Sequence, residues 1–288
     1  MQSENTARLL SALQILHWRN LVVTVPLCAG GVLMLLPFAW MFSASLRPVG
    51  EAYRLPPTLL PDVWDPTSYR QVLESDLPFL HMYWNSFSVA LISTAGVLLT
   101  ASMAAFAFAR LRFRGASALF ALMFVGLMVP PALVLIPIYV GFAALHLLDT
   151  QAALILPALA SSFGVYMMRQ FMLGQPRDLE EAAMIDGAGY WTIYRRISLP
   201  QLGPAMAALG IITFTGSWNN FITPFVLIKS LEQMTLPIGV VAIQGVFGGA
   251  SLSVIMAATV MAVLPLFVVF LVAQRFIIEG LTMTGIKG

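Results

Sequence analysis

Six stretches of about twenty predominantly apolar residues constrain this chain more than any other feature. They run over 21–46, 86–109, 119–139, 151–171, 204–227 and 252–272, each closed off by arginines, prolines or a polar loop. A helix of about twenty apolar residues crosses the hydrocarbon core of a bilayer. Of the 288 residues, 59% are hydrophobic and 10% charged, against about 25% charged in a soluble domain. Mean hydropathy is +0.86. A soluble protein of this size could not cover so much apolar surface, so the solvent is lipid. The expected fold is an all-α integral membrane protein with six transmembrane helices.

Charge placement orients the spans. Arg8, Arg19, Arg110, Arg112, Arg114, Arg169, Arg177, Arg195, Arg196, Arg275 and Lys287 fall on one side of this threading, and Arg47, Arg54, Arg70 and Lys229 on the other. Basic residues accumulate on the cytoplasmic side, so both termini are expected there. Residues 1–20 form a polar cytoplasmic segment ahead of the membrane domain at 21–288. The apolar run that follows is too long for a signal peptide, and no small-residue cleavage site comes after it. It reads as an uncleaved first span, bent at Pro26 and Pro37. Residues 47–80 carry Pro48, Pro56, Pro57, Pro61, Pro66 and Pro78 and more acid than base, which fits an extended, turn-rich outer loop. Within it, 69–73 reads as a short helix. The net charge of +2 is too small to suggest nucleic acid as a partner.

The spans differ in character. The second is rich in Ala and Ser, small residues that let helices approach closely. The third is interrupted by Pro130-Pro131 and Pro137, and such breaks survive at membrane depth only when buried in protein or facing a water-filled path. The fifth carries Thr213, Thr215, Ser217, Trp218, Asn219, Asn220 and Thr223. Polar groups there are costly unless they face one another or a cavity, so this span reads as pore-facing. The competing reading makes Trp218 an outer-interface residue and lets the asparagines bond neighbouring helices. Residues 229–251 form an outer loop whose apolar portion, 236–247, reads as a short re-entrant or interfacial helix.

Residues 178–200, DLEEAAMIDGAGYWTIYRRISLP, are a polar island between the fourth and fifth spans. Pro176 and Asp178 read as a helix start, with Asp178 as N-cap and Glu181 closing a capping box. Glu180 and Glu181 sit in the first turn, where the helix dipole favours negative charge. Gly187 and Gly189 break this helix. A second follows, with Tyr190, Ile193, Tyr194 and Ile197 on one face and Pro200 at its end. The product is a helix–turn–helix knob on the cytoplasmic side. Cys28 is the only cysteine, which excludes an internal disulfide and a multi-cysteine metal site. His17, His81 and His146 are scattered near span ends and read as interfacial residues, so no metal site is assigned. No G-x-x-x-x-G-K-[ST] loop is present, and the only lysines are Lys229 and Lys287. The chain cannot bind ATP by that route.

Glu181-Ala182-Ala183, Gly187, Ile197, Leu199 and Pro200 fill every defining position of the EAA signature, and on these residues the chain resembles the permease subunits of ABC importers. Four further segments are similar to the maltose-importer type, and to its second permease subunit in particular. Ser68-Tyr69 lies in the Pro-rich outer loop, without the Asn that commonly precedes the Tyr. Gly216-Ser217-Trp218-Asn219-Asn220-Phe221 resembles a W-N-acid-F run, with Asn220 in place of the acid. Leu236-Pro237-Ile238-Gly239 matches an outer loop. Met256-Ala257-Ala258, Pro265, Gln274-Arg275, Gly280-Leu281-Thr282 and Lys287-Gly288 match the last span and tail, where Thr284-Gly285-Ile286 departs from the usual G-A-V.

The resemblance implies the type I ABC importer permease fold in a bacterial cytoplasmic membrane. It implies a homologous second permease, an ABC ATPase dimer that holds the ATP and Mg, and a periplasmic or lipid-anchored binding protein that delivers a sugar-type solute. Di- or oligosaccharide, polyol and glycerol phosphate all fit. The knob would dock on the ATPase, with Glu181 in a charge-assisted contact and Ala182, Ala183 and Gly187 packing closely. Thr215, Trp218, Asn219 and Asn220 would line the translocation path. The cytoplasmic tail, 278–288, would approach the ATPase interface.

Other classes fit less well. A secondary transporter of a small solute would show ionisable groups inside its spans for ion coupling, whereas the acids here fall in loops or span ends. A membrane-embedded enzyme would need a nucleophile–base pair or metal cluster at membrane depth. A purely structural membrane subunit would not need the complete EAA spacing.

Overall fold

The computed structural model describes the backbone of residues 2–48, 51, 58–246 and 251–284, and the side chains within 22–48, 51, 58–244 and 251–272. The expectations placed on Arg8, His17, Arg19, Arg54, Pro56, Pro57, Arg275 and the 278–288 tail lie outside the described side chains. All regular structure among the described residues is helical. Four helical segments are long and apolar enough to cross a membrane: Val22–Ser45, Phe79–Arg110, Gln151–Leu173 and Leu252–Val272. Two bent pairs raise the number to six, Ala116–Met128 with Pro131–Ala144 at 103° and Tyr190–Gln201 with Gly203–Trp218 at 75°.

The chain divides into two compact units, 1–72 with 251–260, and 73–250 with 261–288. In the first unit, α1 (Gln2–Ser45) runs as one helix through Pro26 and Pro37. It starts well ahead of the expected span, and its apolar window buries none of its residues. After it, Asp65 N donates to Leu46 O at 2.8 Å and the Ser45 and Tyr69 hydroxyls meet at 2.7 Å. These bonds tie α2 (Thr67–Leu73) to the end of α1. Arg47, assigned to the outer loop, is folded into it: the side chain is buried, with Nη2 donating to Ser43 Oγ and Thr58 O.

In the second unit, α3 (Phe79–Arg110) is the element around which the others assemble, packing most extensively on α7 (Ser162–Leu173) and α11 (Gly203–Trp218). Its buried face is the small-residue stripe the sequence announces: Ser86, Ala90, Ser93, Val97, Ala101, Ala105 and Ala109 recur every three or four residues. Such a stripe lets backbones come close. On α7, a Cβ at Gly164 would stand 3.1 Å from Ala101 Cβ and 3.2 Å from Leu209 Cδ2, so a larger residue would wedge three helices apart.

The expected third span is broken where Pro130 and Pro131 lie, between α4 (Ala116–Met128) and α5 (Pro131–Ala144), and neither half has a buried residue. The fourth contains a break of its own between α6 (Gln151–Ala158) and α7. There Ser161 Oγ accepts from Gly164 N at 3.0 Å, and Thr100 Oγ1 of α3 donates to Leu159 O at 2.8 Å. Side chains thus pair backbone groups that lipid could not.

The fifth span departs from expectation. It is not one helix over 204–227: α11 stops at Trp218, and α12 (Ile222–Leu227) is a separate piece. The sixteen residues of α11 rise about 24 Å, short of a full hydrocarbon core. The predicted helix at 236–247 is α13 (Leu236–Val246). α14 (Leu252–Thr284) begins in the first unit and continues in the second, with Pro265 inside it.

Candidate functional site

The EAA stretch folds as α8 (Asp178–Ile185), a glycine turn, α9 (Tyr190–Ile193), a π turn over Tyr194–Ser198 and α10 (Leu199–Gln201). Its start differs from the expected cap. Arg177 is the N-cap, with no side-chain cap bond, and Asp178 is already helical, so no capping box forms. Three acids, Asp178, Glu180 and Glu181, instead share the first turn, where they complement the helix dipole. The Arg177 side chain is occupied elsewhere, its Nη2 donating to Ala109 O at 3.2 Å.

The glycine turn is as expected and has a definite geometry. Gly187 sits at φ +83°, the left-handed region that costs an L-residue strain. Its N–H donates to Met184 O at 3.1 Å and that of Ala188 to Ala183 O at 2.9 Å, the paired bonds of a Schellman ending. After it, the second helix does not keep simple α periodicity. Leu199 N reaches back to Tyr194 O, so the ladder is widened by one residue just before Pro200, whose ring would crowd the carbonyl four residues earlier in a regular helix. The wider turn changes which face is buried: Ile193, Tyr194 and Ser198 are inside, Ile197 and Leu199 half-buried, and Tyr190 exposed despite its place on the expected face.

The knob is fastened to α3 at several points. Arg110 Nε stands 2.7 Å from Glu180 Oε2, with both side chains about 95% buried (5% and 6% exposed). Glu180 Oε1 accepts from Arg110 Nε and from Ser198 Oγ, each at 2.9 Å. The Tyr194 and Ser102 hydroxyls meet at 2.9 Å, and the Tyr194 ring packs 5.4 Å from Phe106. Arg169 Nε donates to Phe108 O at 3.3 Å, and its guanidinium lies 4.2 Å from the Phe120 centroid. Three arginines therefore gather at the carbonyl end of α3, where cations are favoured.

With Glu180 turned inward, its neighbour Glu181 faces out. Glu181, Ala182 and Gly187 are exposed and Ala183 is half-buried. Beside them Leu179, Met184, Ile185 and Trp191 stand 62%, 45%, 87% and 61% exposed. This is an apolar surface with a carboxylate in it, carried on a braced support. Glu181, expected to meet a partner, is exposed, whereas sequence reasoning left Glu180 as a dipole residue and Arg110 as a marker of the cytoplasmic side.

The second candidate group lies at the end of α11. Trp218 is buried, its Nε1–H donating to Ala262 O at 3.0 Å, with Tyr83 edge-on at 5.5 Å and Phe214 stacked at 5.9 Å. It is a packing residue of this chain. Asn220 Oδ1 accepts from Thr223 N at 3.2 Å while its Nδ2 donates to Thr223 Oγ1 at 3.1 Å, bonds that hold the turn leading into α12. Thr215 is half-buried and Asn219 exposed at the break between the helices. No group of three or more His, Cys, Asp or Glu side chains able to hold a metal ion occurs among the described residues.

A family model described as the binding-protein-dependent transport system inner membrane component matches residues 96–282. The chain belongs to this family. The match takes in the C-terminal part of α3 from residue 96, the whole EAA stretch and α11. The arabinooligosaccharides transport system permease protein AraQ of Halalkalibacterium halodurans is 32% identical over 281 residues, covering 95% of this chain and 98% of the relative. The sn-glycerol-3-phosphate transport system permease protein UgpE of Brucella abortus is 30% identical over 272 residues, 92% of this chain and 96% of the relative. Among solved structures, a chain of a bacterial ABC transporter involved in the import of the acidic polysaccharide alginate superposes with a TM-score of 0.79. It is 23% identical, and the match covers 90% of this chain and 96% of that one. The fold is that of an ABC importer permease, and the protein is a multi-pass membrane subunit of that class.

Proposed function

We propose that the chain is one of two permease subunits of an ATP-driven bacterial inner-membrane importer for a neutral or phosphorylated sugar-type solute, with both termini in the cytoplasm. The observation that carries this reading is the knob. Buried Glu180 locks it to α3, and exposed Glu181, Ala182, Leu179 and Ile185 are left free to dock. An ATPase dimer, which holds the ATP and Mg, receives that surface. Its closure pushes α8, and the push passes into the bundle as a two-state movement. The chain itself supplies no catalytic group.

The solute class rests on the relatives, whose names specify an arabinooligosaccharide and a glycerol phosphate. A binding protein presents the solute at the outer face, and a homologous permease completes the path. Along it Asn219 and Thr215 offer hydrogen bonds to hydroxyls, while Trp218 and Asn220 shape the break that exposes them. The test is to purify the tagged chain gently, place the complex in lipid discs and measure ATP hydrolysis with binding protein and a panel of oligosaccharides, polyols and glycerol phosphates. Hydrolysis stimulated by one solute class is expected. A chain that purifies with no nucleotide-hydrolysing partner would sink the reading.

A further inference from the structure

We infer that the buried triad of Arg110, Glu180 and Ser198 is the positioning element that makes the knob and α3 move as one body, deepening the transport reading on which it rests. Three separate elements meet in it: the last residue of α3, the first turn of α8 and the π turn. Glu180 Oε1 takes hydrogen bonds from both partners at 2.9 Å, and Arg110 Nη2 also reaches Gln175 O, in the connection that leads into α8, at 3.5 Å. When that contact opens, Glu180 keeps only the neutral Ser198 hydroxyl, which cannot balance its buried charge, so opening is strongly disfavoured.

The outer face of α8 can then transmit force only if its inner face is rigid. A push on exposed Ile185 or Leu179 enters α3 through Glu180, and α3 carries it to α7 and α11, its principal packing partners. Glu181 recognises and Glu180 transmits. These roles belong to adjacent residues because a helix turns about 100° per residue.

The complete importer, reconstituted in proteoliposomes with its ATPase, partner permease and binding protein, tests the assignment. Glu180→Gln and Arg110→Gln should each lower solute imported per ATP hydrolysed by about tenfold, within the usual range of coupling between sites, while stimulated hydrolysis persists. The exchange Arg110→Glu with Glu180→Arg should recover most of the ratio. A merely structural role would reduce the yield of complex and leave the ratio untouched, which overturns the assignment.

Variants too unstable to assemble are read in the full chain alone, in lipid discs, with spin labels at Met103→Cys and Ile185→Cys in a Cys28→Ser background. The expected result is a narrow distance distribution with native Glu180, a broad one with Glu180→Gln, and no change for a reference pair at Met103 and Leu173. Equal widths, or broadening of both pairs, overturn the proposal. A native importer without solute-dependent hydrolysis would fail the transport reading instead, and the label widths would still judge the link.

Discussion

At its C-terminal end α3 grips the knob through a charged pair, whereas at its N-terminal end it grips the 232–236 segment through neutral amides and a hydroxyl. Asn85, 1% exposed, donates to Glu232 O at 2.7 Å and Met234 O at 3.0 Å and accepts from Gln151 Nε2 at 2.7 Å. Next to it, Ser86 Oγ accepts from Leu236 N at 2.7 Å. Both ends are buried and both tie α3 to chain far away in sequence. The chemistry of failure differs. An amide network can lose one bond while the others persist, and no net charge is stranded. A buried ion pair that opens leaves two charges without compensation. The N-terminal end of α3 is therefore a graded clamp and its C-terminal end an all-or-none joint.

Breaking the joint should give the largest effect. Arg110→Met strands the Glu180 carboxylate and should cost about 3–5 kcal/mol in thermal or denaturant unfolding, whereas the double variant Arg110→Met with Glu180→Met should recover most of that stability. Equal losses in the single and double variants would erase the distinction between the two ends. Breaking the clamp should cost less. Asn85→Leu leaves two backbone carbonyls and the Gln151 amide unpaired, for about 2–3 kcal/mol. It should also raise the rate of proteolysis within 229–235 well before the bundle unfolds. A variant that unfolds globally with no early cleavage would show that the clamp is not local.

The knob was legible because its signals are short-range: acids in a first turn, a glycine stop and the spacing to Leu199 and Pro200. The spans were legible because lipid imposes a length. The Ala/Ser stripe of the second span announced close packing, and α3 bears it out. What could not be read is which of two adjacent glutamates turns inward, since Arg110 lies seventy positions away and Ser198 is brought round only by the π turn. Hydrophobicity misleads here as well: Leu179 and Ile185 are the exposed residues and Glu180 the buried one. The fifth span was misjudged for a related reason. Its apolar run continues through Asn219 and Asn220, but α11 ends at Trp218 and Asn220 bonds Thr223 in the first turn of a new helix. At Trp218, the sequence offered a pore or an interface belt, and the aromatic packing with Tyr83 and Phe214 depends on contacts that no local pattern encodes.

A smaller effect separates backbone geometry from packing in the knob. A Cβ at Gly187 or at Gly189 would meet nothing within 4 Å, so neither glycine is required by crowding within this chain. Gly187 alone has positive φ. Gly187→Ala should therefore destabilise the turn by about 1–2 kcal/mol and speed hydrogen exchange at the amides of residues 187 and 188. Gly189→Ala, at φ −75°, should leave both nearly unchanged. Similar effects from the two would mean that the turn is held by docking and not by its own geometry.

The smallest effect is at Asp149 and depends on pH. Asp149 Oδ1 accepts from Ser230 N and Lys229 N, each at 2.9 Å, and from Ser230 Oγ at 3.0 Å. The Ser230 and Lys229 backbone bonds, in that order, hold its carboxyl below the ordinary 3.8. A folded value below the unfolded one means that protons bind the unfolded form more readily. The contribution of Asp149 is thus complete above the unfolded value and disappears as pH falls through the lower folded one, a window that lies below about pH 4. Because Asp149 is only half-buried at the protein surface, the gain is modest and salt-screened. Proteolysis within 229–235 should stay flat from neutral pH to about 4 and rise below it, and Asp149→Asn should raise the neutral rate and flatten the profile. A rise that begins nearer pH 6 would point to a histidine, and the carboxylate would then have no part in holding the 229–235 segment.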